Sequence, residues 1–310
     1  VSGTTPVGRT ARAVAAALVV TAVAVTTSGC TAAGSDRPLV AVTTNILGDV
    51  VTEAVGDDVD VMVLMPPGGD PHSFEVSAQQ AARLRSADLV VENGLGLEEG
   101  VAHHVRAAAD DGVAVFTAGD AINALEWTTD DDSGPDPHFW TDPARMVDVV
   151  EALDDELDAV GIDAPGTEAY TDRLDALDDD MTAAFDTIPA DRRALVTNHH
   201  VFGYLADRYG FRVVGAVIPS GTTLASPSAA DLRDLADAIE QAGVPTIFAD
   251  ASQPARLAEV LADEVDVQVS IRSLATESLT EDGAASTTYL GMMRSNTDSI
   301  VDGLTAPISR

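Results

Sequence analysis

The chain has 310 residues, and 51 acidic side chains against 17 basic ones leave a formal charge of −34 at pH 7. So acidic a surface repels nucleic-acid phosphates and excludes a nucleic-acid-binding role. The sole cysteine, Cys30, leaves neither a disulfide framework nor a thiolate metal site, so any metal must be held by nitrogen and oxygen. The acidity itself reads as a solubility trait rather than a site.

The amino terminus is set aside from the fold. Arg9 and Arg12 form a short basic region, and an apolar run from Ala13 to Val25 follows. That run is too short for a mature membrane span and suits a secretory signal peptide over 1–29. It ends at Thr27-Ser28-Gly29-Cys30, which resembles a lipobox, with Thr27 where leucine is usual. Cys30 is then the expected lipidation site, and 30–38 a lipidated tether holding the protein to the outer face of the cell membrane.

Beyond the tether, short apolar runs alternate with helical patterns, the mark of parallel α/β units. Strands are expected at Leu39–Thr43, Val59–Met65, Ala87–Glu92 and Val113–Thr117, with helices at Ile46–Val55, Ser77–Ser86 and Leu97–Ala109. Glu98 and Glu99 read as first-turn acids at the positive end of that third helix. Asp130 to Pro135 reads as an acidic, unstructured bridge. From Pro143 to about Pro189 the pattern is helical, broken at Gly161–Gly166. Leu174, Leu177, Met181, Ala184 and Ile188 recur over Glu168–Ile188 at spacings of three and four, which reads as one long helix bracing two halves, with a plain surface helix as the alternative.

The second half repeats the scheme, with strands at Ala194–Thr197, Val213–Ile218, Val244–Ala249 and Val267–Ile271. Helices are expected at Val201–Tyr209, Pro227–Gln241, Pro254–Glu264 and Ser286–Asp302, with Ser226-Pro227 as a start signal and Gly243 as a stop. The expected fold is α/β: two (β/α)₄ lobes, 39–142 and 191–310, joined by a helical segment over 143–190 with a single long rigid helix.

The histidines carry the chemistry. Asp-Pro-His occurs twice, at Asp70-Pro71-His72 and Asp136-Pro137-His138, in a chain with only 6 histidines. Proline stiffens the turn on which each imidazole stands. His72, His138, His199, Asp250 and Glu277 all fall beyond carboxyl ends of expected strands, where open α/β sheets bind ligands. Three imidazoles and a carboxylate form a donor set that zinc accepts readily and manganese also accepts. A catalytic zinc keeps a position open for water, whereas four protein ligands describe capture. No Gly-x-Ser-x-Gly or phosphate-loop pattern is present, so no enzyme is expected. His103 and His104 read as solvent-facing, and only one of His199 and His200 is expected to face the site. Trp127, Trp140, Met292 and Met293 read as packing residues.

Gly69-Asp70-Pro71-His72-Ser73-Phe74-Glu75, Asp136-Pro137-His138-Phe139-Trp140-Thr141-Asp142-Pro143 and His199-His200-Val201-Phe202-Gly203-Tyr204-Leu205 resemble signature blocks of the metal-binding lipoproteins of zinc and manganese ABC transporters. Thr276-Glu277-Ser278-Leu279 and Tyr289 to Asn296 resemble a fourth, and the likeness runs from about Leu39 to the last helix. The resemblance implies a metal site in the cleft between the lobes, with His72, His138, His199 and Glu277 as ligands. His199 is preferred to His200 by its distance from the Phe-Gly-Tyr motif. Glu277 departs from the aspartate usual in the family, and Asp250 stands as an alternative or outer acid. The resemblance further implies Zn2+, or Mn2+ as the alternative, as transported ligand of a monomeric extracytoplasmic receptor. Its partners would be an ABC permease and its ATPase. A surface adhesin retaining the fold is the competing class.

Overall fold

The computed structural model describes residues 1–3, 37–128, 133–218, 220–252, 256–265, 268–281 and 285–306. Residues 4–29 of the expected leader, Cys30, the Asp130–Asp132 run, Pro254 and Val267 lie outside the described residues.

The first sheet contains β1 (Leu39–Val42), β2 (Asp60–Val63), β3 (Leu89–Glu92) and β4 (Ala114–Thr117), all parallel in the order β2-β1-β3-β4. Val40, Ala41, Val42, Leu89, Val90 and Val91 are buried on both faces, as parallel strands covered by crossover helices must be. Helix α1 (Asn45–Val55) is capped by the Thr44 hydroxyl and buries Ile46, Leu47, Val50 and Val51 against the sheet. Helices α2 (Ala78–Leu84) and α3 (Ala102–Asp110) complete this half. The third helix starts later than the hydrophobic pattern suggests. Gly94, Leu95 and Gly96 all have positive φ, which turns the chain before helical geometry can begin.

The second sheet contains β7 (Ala194–Thr197), β8 (Arg212–Ala216), β9 (Thr246–Asp250) and β10 (Ser270–Leu274), in the order β10-β9-β7-β8 and again parallel. The two halves therefore share one topology. Strand β10 lies three residues beyond the expected start, paired in register with β9 from Ser270 opposite Thr246 to Leu274 opposite Asp250. It is an edge strand with half-exposed polar residues, so its hydrophobic signal is weak. Helices α6 (Gly203–Tyr209), α7 (Ala229–Ala242), α8 (Arg256–Glu264) and α9 (Tyr289–Thr305) surround the sheet. Ser228, not Ser226, caps α7. Its hydroxyl accepts from the backbone of Asp231 while the Asp231 carboxylate accepts from the Ser228 N–H, a reciprocal box that outcompetes the proline signal. Gly243 ends α7 in left-handed geometry, as expected.

Between the sheets the chain forms α4 (Pro143–Ala159) and α5 (Thr167–Phe185), packed against each other. Asp142 caps α4, and Pro143 occupies its first turn. Tyr170, Leu174, Leu177, Met181 and Phe185 form the buried stripe of α5, which also touches α1 and α9. Each such side chain contributes about 1.5–3 kcal/mol by leaving water, enough to hold a helix whose other faces are acidic. One hydrophobic core runs from Val40 and Leu89 through α4 and α5 to Leu195, Phe248 and Met292. The bridge read as unstructured instead ends in a strand, β6 (Ser133–Pro135), paired antiparallel with β5 (Glu126–Thr128), which precedes the bridge. Its polar composition hid the pairing, since cross-strand backbone bonds need no apolar side chains.

Candidate metal centre

Both Asp-Pro-His tripeptides adopt the same local structure. The Asp70 carboxylate accepts the His72 N–H at 2.9 Å, and the Asp136 carboxylate accepts the His138 N–H at 3.0 Å. An aspartate that binds the backbone two residues ahead closes a tight turn, and the intervening proline stiffens it. Asp136 does more, because the same oxygen reaches His138 Nδ1 at 2.7 Å. That bond leaves Nε2 as the nitrogen facing the site. Asp70 uses its other oxygen to accept from the Thr223 hydroxyl at 2.7 Å, tying the first half to the second.

His199 follows β7, and Glu277 follows β10. The loop bearing Glu277 is held from several sides. Asn296 brackets Ala275, donating to its carbonyl at 2.7 Å and accepting its N–H at 3.1 Å. Trp140 Nε1 donates to the Thr276 carbonyl at 2.8 Å, and Asn45 binds Ser278 and the Leu279 N–H at 2.7 and 2.9 Å. Sequence reasoning assigned none of these tasks to Asn45 or Asn296, since each partner lies far along the chain.

The result is a convergence of four donors. His72, His138, His199 and Glu277 each place a ligating atom within 4.8 Å of all the others, and all four residues are buried. Glu277 Oε1 lies 2.9, 3.4 and 3.2 Å from Nε2 of His72, His138 and His199. His138 Nε2 lies 3.4 Å from that of His72 and 3.3 Å from that of His199. Bonds of about 2.0–2.1 Å to a tetrahedral ion imply donor separations of about 3.3–3.4 Å. Most of these distances match that edge, so the four donors could hold a cation among them. The other Glu277 oxygen, Oε2, is buried without a hydrogen-bond partner. An orphaned carboxylate oxygen in a dry interior is costly unless a cation lies beside it.

Burial opposes charge on His138, but Asp136 and then Glu277 outweigh it and raise its pKa to about 9. Burial would raise Glu277, but the three imidazoles hold it well below the usual carboxylate range. Asp250 is raised by burial and by Glu277. It stands outside the cage, where one oxygen accepts from Ser252 and the other from the Thr276 hydroxyl and N–H.

His200 is half-buried with its N–H on the Ser220 carbonyl, and His103 is exposed. Met292 and Met293 are core residues, and Trp140 packs edge-on against His138. Glu98 corrects the first-turn reading. It precedes α3, is 5% exposed, and accepts from the Thr43 hydroxyl at 2.6 Å and from the Asn93 and Gly94 N–H groups at 2.7 and 3.2 Å. Its neighbour Glu99 is exposed.

Residues 40–303 match the family model described as zinc-uptake complex component A, periplasmic. The chain belongs to this family. It is 32% identical over 285 residues to the zinc-binding protein TroA of Treponema pallidum, covering 88% of this chain and 91% of that one. The solved structure of the periplasmic zinc-binding protein TroA superposes with a TM-score of 0.79 at 31% identity, over 87% of this chain and 100% of that chain. The manganese-binding lipoprotein MntA of Halalkalibacterium halodurans is 28% identical over 265 residues, covering 84% of this chain and 86% of its own length. The family comprises uptake receptors, not enzymes. Among the described residues no helix is long and apolar enough to cross a membrane.

Proposed function

We propose that this chain is the extracytoplasmic receptor of an ABC importer, capturing a divalent transition metal with His72, His138, His199 and Glu277 and passing it to a permease driven by an ATPase. The observation that carries this reading is the tetrahedral spacing of four buried donors, two from loops after the first sheet and two from loops after the second. Four protein ligands leave no position for an activated water, so the site captures rather than catalyses. Lobes at 39–142 and 191–310, joined through 143–190 with α5 as the brace, would close on the ion. Lipidation at Cys30 would hold the monomeric receptor at the outer membrane face.

Zinc is favoured over manganese. Three imidazoles and a short tetrahedral edge suit zinc, while manganese prefers more ligands and more oxygen. The relatives named for each metal make this the first point to test. Metal-stripped protein exposed to equimolar zinc and manganese should retain zinc, and His138→Ala should lose affinity by orders of magnitude with its fold intact. Unchanged zinc titration in that variant would overturn the assignment of the site.

A further inference from the structure

Glu98 is a buried acid that the metal-binding reading leaves without a task. We propose that Glu98 is a positioning residue for the metal centre, holding through Asn93 the Pro137 carbonyl and with it the turn that aims His138. This inference rests on the receptor reading and assigns it a further residue.

The chain of contacts is short. Glu98 Oε1 accepts the Asn93 N–H at 2.7 Å, and the Asn93 carbonyl accepts the Gly119 N–H at 2.9 Å. Both backbone groups of Asn93 are thus held, which limits where its side chain can point. Its amide nitrogen donates to the Pro137 carbonyl at 3.0 Å and to the Gly94 carbonyl at 3.2 Å. The peptide unit between Pro137 and His138 is planar, so its carbonyl and N–H rotate together. Asn93 holds the carbonyl, and Asp136 holds the N–H at 3.0 Å. One rigid plane is gripped at both ends, and the imidazole that meets His72 and His199 hangs from it. Without Glu98 the Asn93 and Gly94 N–H groups lose their acceptors, and the loop that grips Pro137 is free to turn.

The test uses the full chain with Glu98→Ala, Glu98→Gln and Asn93→Ala variants. Zinc affinity is read by competition with a chromophoric chelator, site geometry by the visible spectrum of bound Co2+, and stability by thermal melting. Glu98→Ala and Asn93→Ala should each weaken zinc by roughly three- to tenfold, less than the 10–100-fold typical of losing a direct partner of a ligand. Both should shift the Co2+ spectrum, and the double variant should lose no more than either single one. Glu98→Gln keeps an oxygen for the Asn93 N–H but leaves the Gly94 N–H unpaired, so it should melt earlier while binding zinc like the wild type. Wild-type zinc affinity and Co2+ spectrum in Asn93→Ala would overturn the proposal, as would additive losses in the double variant. If Glu98→Ala fails to fold, Asn93→Ala decides. A wild-type chain that binds neither zinc nor Co2+ would instead overturn the receptor reading, and this inference with it.

Discussion

Asp136 should control metal affinity more than any residue outside the cage. One of its oxygens accepts both the His138 N–H at 3.0 Å and His138 Nδ1 at 2.7 Å, and the residue is 2% exposed. Asp136→Ala removes both bonds and the charge that makes the imidazole a stronger donor. Losing such a partner costs about 10–100-fold in metal affinity, or about 1.4–2.7 kcal/mol. The His138 N–H would also be left buried without an acceptor, costing about 1–3 kcal/mol of stability. Asp136→Asn should fall between, because its amide oxygen still orients the ring while the charge is gone. Chelator competition gives the affinities, and denaturant melts of metal-free protein give the stabilities. Wild-type zinc affinity in Asp136→Ala would show that the ring is aimed by something else.

Gly203→Ala should weaken zinc binding roughly tenfold. A Cβ there would sit 2.3 Å from Asp136 Oδ2 and push that carboxylate off the imidazole, which the Co2+ spectrum would register. Trp140→Phe keeps the ring beside His138 but strips the Thr276 carbonyl of its donor, so urea melts should show a loss of about 1–3 kcal/mol. Glu98 supplies a pH signature. Burial pushes its pKa up to about 7 from 4.5, against the opposing bonds from Thr43, Asn93 and Gly94. A folded acid with a raised pKa holds more protons than the unfolded chain, so its contribution to stability falls as pH rises from 4.5 to about 7. The full span is about 3 kcal/mol, and Glu98→Gln should flatten that segment of the wild-type stability profile measured in urea.

The parallel α/β scheme was legible because buried strands must be apolar on both faces and helices on one, a demand that each segment meets locally. The stiffness of the two Asp-Pro-His turns was legible for the same reason, as the aspartate of each binds the backbone N–H only two residues ahead. The misreadings fall where that locality fails. β10 draws its register from β9, and β5 pairs with β6 across residues of polar composition. Glu98 carries the composition of a helix start, yet two glycines with positive φ fold it back under Thr43.

What the sequence determined by itself was which imidazoles stand on rigid turns at strand ends and that only nitrogen and oxygen donors are at hand. Only the tertiary structure decided that Glu277 enters the cage while Asp250 stays outside it. Asp250 ends one strand, Glu277 follows the neighbouring one, and they differ by one methylene, but Ser252 and Thr276 occupy the Asp250 oxygens while Glu277 faces the three imidazoles. That choice depends on contacts between strands and loops brought together by folding, and no local pattern encodes it.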